Sequence, residues 1–249
     1  MVEVLPTGFK PPIMEAVLEI ECDMPQNFDV QSIEVAARTA FSDSYPTLRK
    51  QMHATFQVSG PEPQASMSRG LQALQFLQLD EKQLVQVRAE GFAFNRLAPY
   101  SSMDDYLGEI RRTFTAFVEL ASPLQLRRMK LRYINRLPLP AVNGRTEVEG
   151  YLNVGKPFPG ADDDLQYASF FNRYQALDPS TGSTVNVIMT NQALIGDRLP
   201  VVLDIETQAD LAGDPKDWAP VAGRVQDLRS LAKRVFARTI TEQCLLLFL

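Results

Sequence analysis

Histidine is nearly absent from this chain of 249 residues, because His53 is the only one. Metal sites that need several histidines, such as an iron site of two histidines and one carboxylate, are therefore excluded. A Ser-His-Asp triad would have to use His53, and no nucleophile motif lies near it in the sequence. We interpret His53 as a partly exposed histidine of a β-sheet.

Cysteine is almost as scarce, since Cys22 and Cys244 are the only two. Two thiols make neither a cysteine zinc cluster nor a disulfide framework. Glycine-rich phosphate loops are missing as well, because the chain contains neither GxGxxG nor GxxxxGKS/T. Nucleotide binding on such a loop is therefore disfavoured.

Long apolar runs and excess positive charge are also missing. No run approaches the roughly 18 apolar residues that span a bilayer, and residues 1–6 resemble no signal peptide. The formal net charge is −5, which argues against nucleic acid as a partner. We expect a cytoplasmic protein with neither a membrane nor a nucleic-acid partner.

The hydrophobic periodicity predicts an α+β fold. Alternating segments predict strands at about 15–22, 53–59, 71–79, 84–97, 126–137, 167–177, 183–191 and 201–207. Amphipathic segments predict helices at about 29–45, 102–121, 146–152, 221–238 and 240–248.

The order of these elements predicts an internal duplication. Residues 1–122 and 123–249 each contain a strand, a helix, three strands and a further helix. Short turns between the strands favour antiparallel pairing. We therefore expect a single α+β domain over residues 1–249, in which two similar halves form a curved antiparallel sheet packed by helices.

The most informative segment is the predicted strand at residues 127–137. Its alternate positions form two sets, of which one is apolar and the other is basic. The apolar set is Met129, Leu131, Tyr133 and Leu137, and the basic set is Arg128, Lys130, Arg132 and Arg136. Four cations on one strand face need anions, solvent or a ligand opposite them. We expect Met129, Leu131 and Tyr133 beneath the helix at 103–121 and the basic set on the opposite face.

Two other predicted strands offer carboxylates in the same alternation. These are Glu19 and Glu21 in the first strand, and Asp204 and Glu206 in the last. In the simpler interpretation they form cross-strand ion pairs on a solvated sheet face, each worth about 0.2–1 kcal/mol. In the alternative they hold Mg²⁺ or Mn²⁺ beside a phosphate bound by the cations.

That alternative layout is similar to the one in triphosphate tunnel enzymes. Their opening pattern is Glu-x-Glu-x-Lys, whereas Asp23 occupies the lysine position here. The resemblance implies a phosphohydrolase or nucleotide-handling enzyme, and the departure at Asp23 removes one phosphate-binding cation.

Several segments together resemble a second family. They lie at residues 12–20, 91–100, 131–136, 203–206 and 236–241. The set is similar to a sporadically distributed family of bacterial proteins of about this length. This resemblance implies no particular activity, cofactor or catalytic residue. The patchy distribution suggests accessory genes, such as those for defence or toxin neutralisation.

Two further segments are candidate binding elements. Asn95 and Arg96 lie among aromatic residues at 91–100, which form either a binding loop or part of the core. Residues 244–249 are apolar on every side, which indicates either burial or a docking surface for a partner.

We therefore predict a non-enzymatic binding protein that needs no cofactor. Its partner would be another protein or a second copy, bound at the charged sheet face or at the apolar C-terminus. The candidate binding residues are Arg128, Lys130, Arg132, Arg136, Asn95 and Arg96. The alternative is a phosphohydrolase dependent on Mg²⁺ or Mn²⁺ at Glu19, Glu21, Asp204 and Glu206.

Overall fold

The structure is a computed structural model that describes residue 6 and residues 8–59, 64–144, 146–153 and 169–249. At 53–59 and 64–69 the description covers the backbone alone. The predicted exposure of His53 and the predicted strand start at residue 167 therefore lie outside the described part.

The described chain contains nine strands and five α-helices. The strands are β1 (Ile13–Asp23), β2 (Thr47–Ser59), β3 (Gln64–Leu77), β4 (Gln83–Arg88), β5 (Gly91–Leu97), β6 (Gln125–Pro140), β7 (Phe171–Asp178), β8 (Ser183–Asn191) and β9 (Arg198–Gly213). The helices are α1 (Glu34–Phe41), α2 (Met103–Ala121), α3 (Val148–Tyr151), α4 (Trp218–Thr239) and α5 (Glu242–Leu245). Short 3₁₀ segments, Val30–Ile33 and Leu246–Phe248, precede α1 and follow α5.

All nine strands form one open antiparallel sheet in the order β2-β3-β4-β5-β1-β6-β9-β8-β7. The first strand of each predicted half, β1 or β6, lies at the centre, and the other strands of that half follow outward in reverse chain order. The pairing of β1 with β6 joins the two sets. The predicted α+β class with an antiparallel sheet is confirmed, whereas the curvature and the duplication stay predictions.

Helices α1, α2 and α4 pack on the same face of the sheet, here called the inner face. Phe41 of α1 contacts Phe76 of β3, and Phe114 of α2 contacts Phe92 of β5. Helix α4 packs across β6, β8 and β9. The apolar set of β6 is buried on this face as the alternation predicts, although α4, rather than α2, supplies most of its cover.

The predicted strand at 84–97 is in fact a hairpin of β4 and β5, so the first half has one strand more than expected. Apolar residues continue on both sides of Ala89–Glu90, which conceals the turn from a periodicity analysis. Gly91 follows the turn with φ +142°. A Cβ atom on Gly91 would lie 2.1 Å from the backbone oxygen of Ile20 in β1. Only glycine lets β5 approach β1 this closely.

Side-chain oxygens cap the N-termini of three of the five described α-helices. Ser102 accepts the backbone N–H of Asp104 at the start of α2, and Asp217 accepts that of Ala219 at the start of α4. Serine and aspartate favour such positions because they satisfy N–H groups that have no partner within the helix. None of the described helices combines the length and the apolar content needed to cross a bilayer.

We predict that Gly91→Ala lowers the free energy of unfolding by at least about 2 kcal/mol, since the added methyl group must displace backbone and adopt a strained φ. The matched control is Gly108→Ala on α2, where nothing lies within 4 Å of the added Cβ. Because alanine favours a helix, this control should raise stability by about 0.5–1 kcal/mol. Urea denaturation measures both changes, and equal stability of the two variants would contradict the close β1–β5 approach.

Candidate functional site

The register places the cations of β6 between two acidic strands on the outer face of the sheet. Arg128 lies opposite Glu21 of β1 and Asp210 of β9. Lys130 lies opposite Glu19 of β1. Arg128 therefore meets carboxylates on both sides and Lys130 on one, which offsets the repulsion between these neighbouring cations.

Glu21 contacts more cations than any other described carboxylate of this face. Its oxygens lie 2.6 Å from Lys130 Nζ, 3.2 Å from Arg127 Nη2 and 3.6 Å from Arg128 Nη1. The Glu21 side chain is only 12% exposed. Glu19 nearby pairs with Arg88 at 2.8 Å. The cations thus compensate the cost of removing this carboxylate from water.

The same cations set the acidity of Glu21. Burial by itself would raise the pKa of Glu21, but the hydrogen bond and charge of Lys130, together with the charges of Arg128 and Arg127, hold its pKa below the usual 4.5. A carboxylate with a lowered pKa stays ionised at neutral pH and is a poor general base. Glu21 is therefore suited to an ion-pair network rather than to proton transfer.

Arg132 and Asp204 form a second ion pair, with two parallel hydrogen bonds. Arg132 Nε donates to Asp204 Oδ1 at 2.9 Å, and Nη2 donates to Oδ2 at 2.5 Å. The hydrogen bonds to Asp204 raise the pKa of Arg132. Since Asp204 is buried, loss of Arg132 would leave a buried charge unpaired.

The two predicted pairs of metal-binding carboxylates lie on opposite sides of β6. Glu19 and Glu21 are on β1, whereas Asp204 and Glu206 are on β9, opposite Ile134 and Arg132. Within the described part of the chain, no three histidine, cysteine or acidic side chains lie close enough together to hold a metal ion. Binding of Mg²⁺ or Mn²⁺ by these carboxylates stays a prediction.

Asn95 and Arg96 lie on strand β5 rather than in a loop, and Phe92 and Phe94 of the same strand are buried, as the core alternative expects. A role of Asn95 and Arg96 in partner binding stays a prediction. Asn95 is on the outer face, where its amide donates to Glu15 at 2.6 Å. Arg96 is on the inner face, with its guanidinium 5.3 Å from the centre of the Tyr106 ring. Strand alternation therefore separates the two neighbouring residues and prevents them from forming one site.

A row of side-chain amides crosses the outer face, and the sequence analysis missed it. Gln75 donates to Gln86 at 3.2 Å, Gln86 donates to Asn95 at 2.8 Å, and Asn95 donates to Glu15. The row joins β3, β4, β5 and β1, and it ends on a carboxylate. The only sequence signal was a glutamine or asparagine at an outward position of each strand.

Arg136, the last cation of the basic set, lies in a different environment from the other three. It lines a groove of about 830 Å³, the end groove, at the end of β6 and β9. The other cations that line it are Lys10 and Arg198, and its apolar residues include Met14, Ile195 and Phe248. No aspartate or glutamate is among the lining residues.

The C-terminus is partly core and partly surface. Cys244 is fully buried, and Phe248 contacts the ring of Phe9 at 6.2 Å between centroids. Leu246 and Leu249 are exposed by 68% and 58%. The end groove therefore joins the two surfaces that the sequence predicted as binding elements, because Arg136 comes from the basic strand and Phe248 from the apolar terminus.

Neither cysteine is suited to nucleophilic chemistry. Burial raises the pKa of both Cys22 and Cys244 to about 12, so both thiols stay protonated at neutral pH.

We predict that Glu21→Gln lowers the free energy of unfolding at pH 7 by about 1–3 kcal/mol, since three cations lose the negative charge of their shared partner. The folded pKa of Glu21 is lowered, so its stabilisation is complete above pH 4.5 and is lost as the pH falls through the folded pKa. The difference from wild type should therefore shrink below about pH 4.5.

Urea denaturation of both proteins at a series of pH values measures this effect. The control is Glu90→Gln, because Glu90 is 77% exposed and contacts only Arg127 of this group, at 3.6 Å. This control should stay within about 0.5 kcal/mol of wild type. If the free energies of unfolding of wild type and Glu21→Gln differed by the same amount down to acid pH, ionised Glu21 would not be the source of this stabilisation.

No known family model matches the chain, and no curated protein matches it significantly.

Proposed function

We propose that the protein is a non-enzymatic binding protein of the cytoplasm, and that its end groove holds an acidic, apolar segment of a protein partner. The observation that carries the proposal is the composition of the groove. It combines Lys10, Arg136 and Arg198 with exposed apolar side chains and has no acidic lining residue, in a chain of net charge −5.

The contrast within the basic set of β6 supports this choice of surface. Arg128, Lys130 and Arg132 each pair with a carboxylate of a neighbouring strand. Arg136 has no carboxylate within ion-pair distance among the described residues. A cation that is already paired offers little to a ligand, whereas an unpaired one can form a new charge-assisted hydrogen bond.

The apolar side chains of the groove supply the second part of the recognition. Met14 is 44% exposed and Ile195 is 58% exposed. Burying such side chains against a partner contributes about 25 cal/mol per Å². A groove of about 830 Å³ is within the usual size of binding clefts.

A protein partner is favoured over a second copy of this chain because of charge. Two copies of net charge −5 repel each other, whereas an acidic segment placed in the groove would meet Lys10 and Arg136, together with Arg198, which pairs with Asp197 at 3.7 Å. Because the chain resembles a sporadically distributed bacterial family, we extend the proposal to an accessory biological role, such as defence or toxin neutralisation. The alternative of a metal-dependent phosphohydrolase stays a prediction, and tight triphosphate binding that requires Mn²⁺ and Glu21 would favour it.

We predict that a peptide alternating glutamate with leucine and phenylalanine binds the wild-type protein more tightly than its lysine counterpart. Arg136→Glu should weaken that binding by about tenfold or more, since it replaces attraction by repulsion in the groove. Fluorescence anisotropy of the labelled peptide measures the affinity, and added salt should weaken it.

The matched control is Arg111→Glu, which makes the same change in net charge at an exposed position on α2. This control should bind the peptide as wild type does. Equal binding to Arg136→Glu and Arg111→Glu would show only a general charge effect and would contradict the proposal. Light scattering on a dilution series provides the second test, and a dimer abolished by Arg136→Glu would make a second copy the occupant.

A further inference from the structure

A second, smaller cavity lies on the inner face of the sheet beside α4. This inner pocket has a volume of about 240 Å³. Its walls are α4, the segment after β5, the segment before β1, and the inner side chains of β6 and β9. It adjoins the end groove through shared residues such as Phe9 and Tyr100, but Arg229 and Lys233 line only the inner pocket.

Both charged residues that line this pocket are cations. Arg229 and Lys233 lie four residues apart on α4 and therefore on the same side of the helix. Arg229 is fixed in place, because it donates to Asp104 at 2.6 Å and to Ser102 at 2.9 Å. Lys233 has no ion-pair or hydrogen-bond partner among the described residues.

This pair of cations is unfavourable in the absence of an anion. Like charges four residues apart destabilise a helix. Burial, followed by the charge of Arg229, lowers the pKa of Lys233. Asp104 forms its ion pair with Arg229 and acts on Lys233 only through its more distant charge, and Lys233 forms no ion pair of its own among the described residues. Two cations and one neighbouring carboxylate thus leave a net positive charge at the pocket.

The rest of the lining is aromatic and partly polar. The Tyr100 and Tyr133 rings lie 5.9 Å apart at 77°, and Phe9 lies 6.0 Å from Phe236. Burial raises the pKa of both tyrosines, so their hydroxyls stay protonated and can donate hydrogen bonds. Aromatic walls suit a flat or aliphatic body rather than a bare inorganic ion.

We infer that the inner pocket binds a small organic anion, with a carboxylate or phosphate head on Lys233 and Arg229 and an apolar or aromatic body between Tyr100, Tyr133 and Phe236. A volume of about 240 Å³ admits a small molecule and is much smaller than that of the end groove. This inference does not rest on the proposed function, because the two cations belong to the inner pocket alone.

Phenyl phosphate is the probe, and titration calorimetry on the full chain is the measurement. We expect binding to wild type and a loss of at least about tenfold in affinity for Lys233→Met, which removes one charge-assisted hydrogen bond. One control should bind as wild type does, because Lys216→Met removes a lysine charge from an exposed loop.

Three outcomes of the calorimetry would overturn the inference. The first is that phenyl phosphate does not bind wild type at millimolar concentration, and the second is that it binds Lys233→Met as tightly as wild type. The third is that inorganic phosphate binds as tightly as phenyl phosphate, which would show that the pocket does not recognise the organic part of the ligand.

Thermal melting provides a readout that needs no ligand. If Lys233 serves a ligand rather than the fold, Lys233→Met should melt at the wild-type temperature or above it, because an unpaired cation is removed from beside Arg229. A clear drop in the melting temperature would assign Lys233 a structural role and overturn the inference.

Discussion

The pairing of β6 with its two neighbours is the interaction on which the rest of the structure depends. This strand joins the two sets of strands through β1, and it supports α4 with its apolar side chains. Its outward cations would repel one another without the carboxylates of β1 and β9. Glu21 and Asp204, whose side chains are largely buried, therefore balance the charge of the partly exposed cations at the centre of the sheet.

In the described part of the chain, the cations of the basic set are paired with carboxylates at the centre of the sheet but not at its end. Arg136 is the one member of the basic set that lines a groove without acidic residues. The inner pocket repeats this feature with Arg229 and Lys233. In a chain with more acidic than basic residues, the charged lining residues of these two adjoining concave surfaces are all cations, which is why we propose anionic ligands for this end of the molecule.

Much of the fold followed from the sequence, but some features did not. Alternation along residues 127–137 predicted both faces of β6 correctly. The turn between β4 and β5 was missed, because apolar residues lie on both sides of it, and the close approach of Gly91 to Ile20 is visible only in the structure. The amide row from Gln75 to Glu15 was missed as well, since a single polar residue per strand has no periodicity of its own.

The sequence by itself determined which side chains of a strand share a face, because alternation is a local property of the backbone. It thereby determined the α+β class and the separation of basic from apolar residues. Only the tertiary structure decided which cations are neutralised, since strand order and register bring Glu21 to Lys130 but give Arg136 and Lys233 no carboxylate partner among the described residues. Contacts between residues far apart in the chain depend on how strands and helices assemble, and no local pattern encodes them.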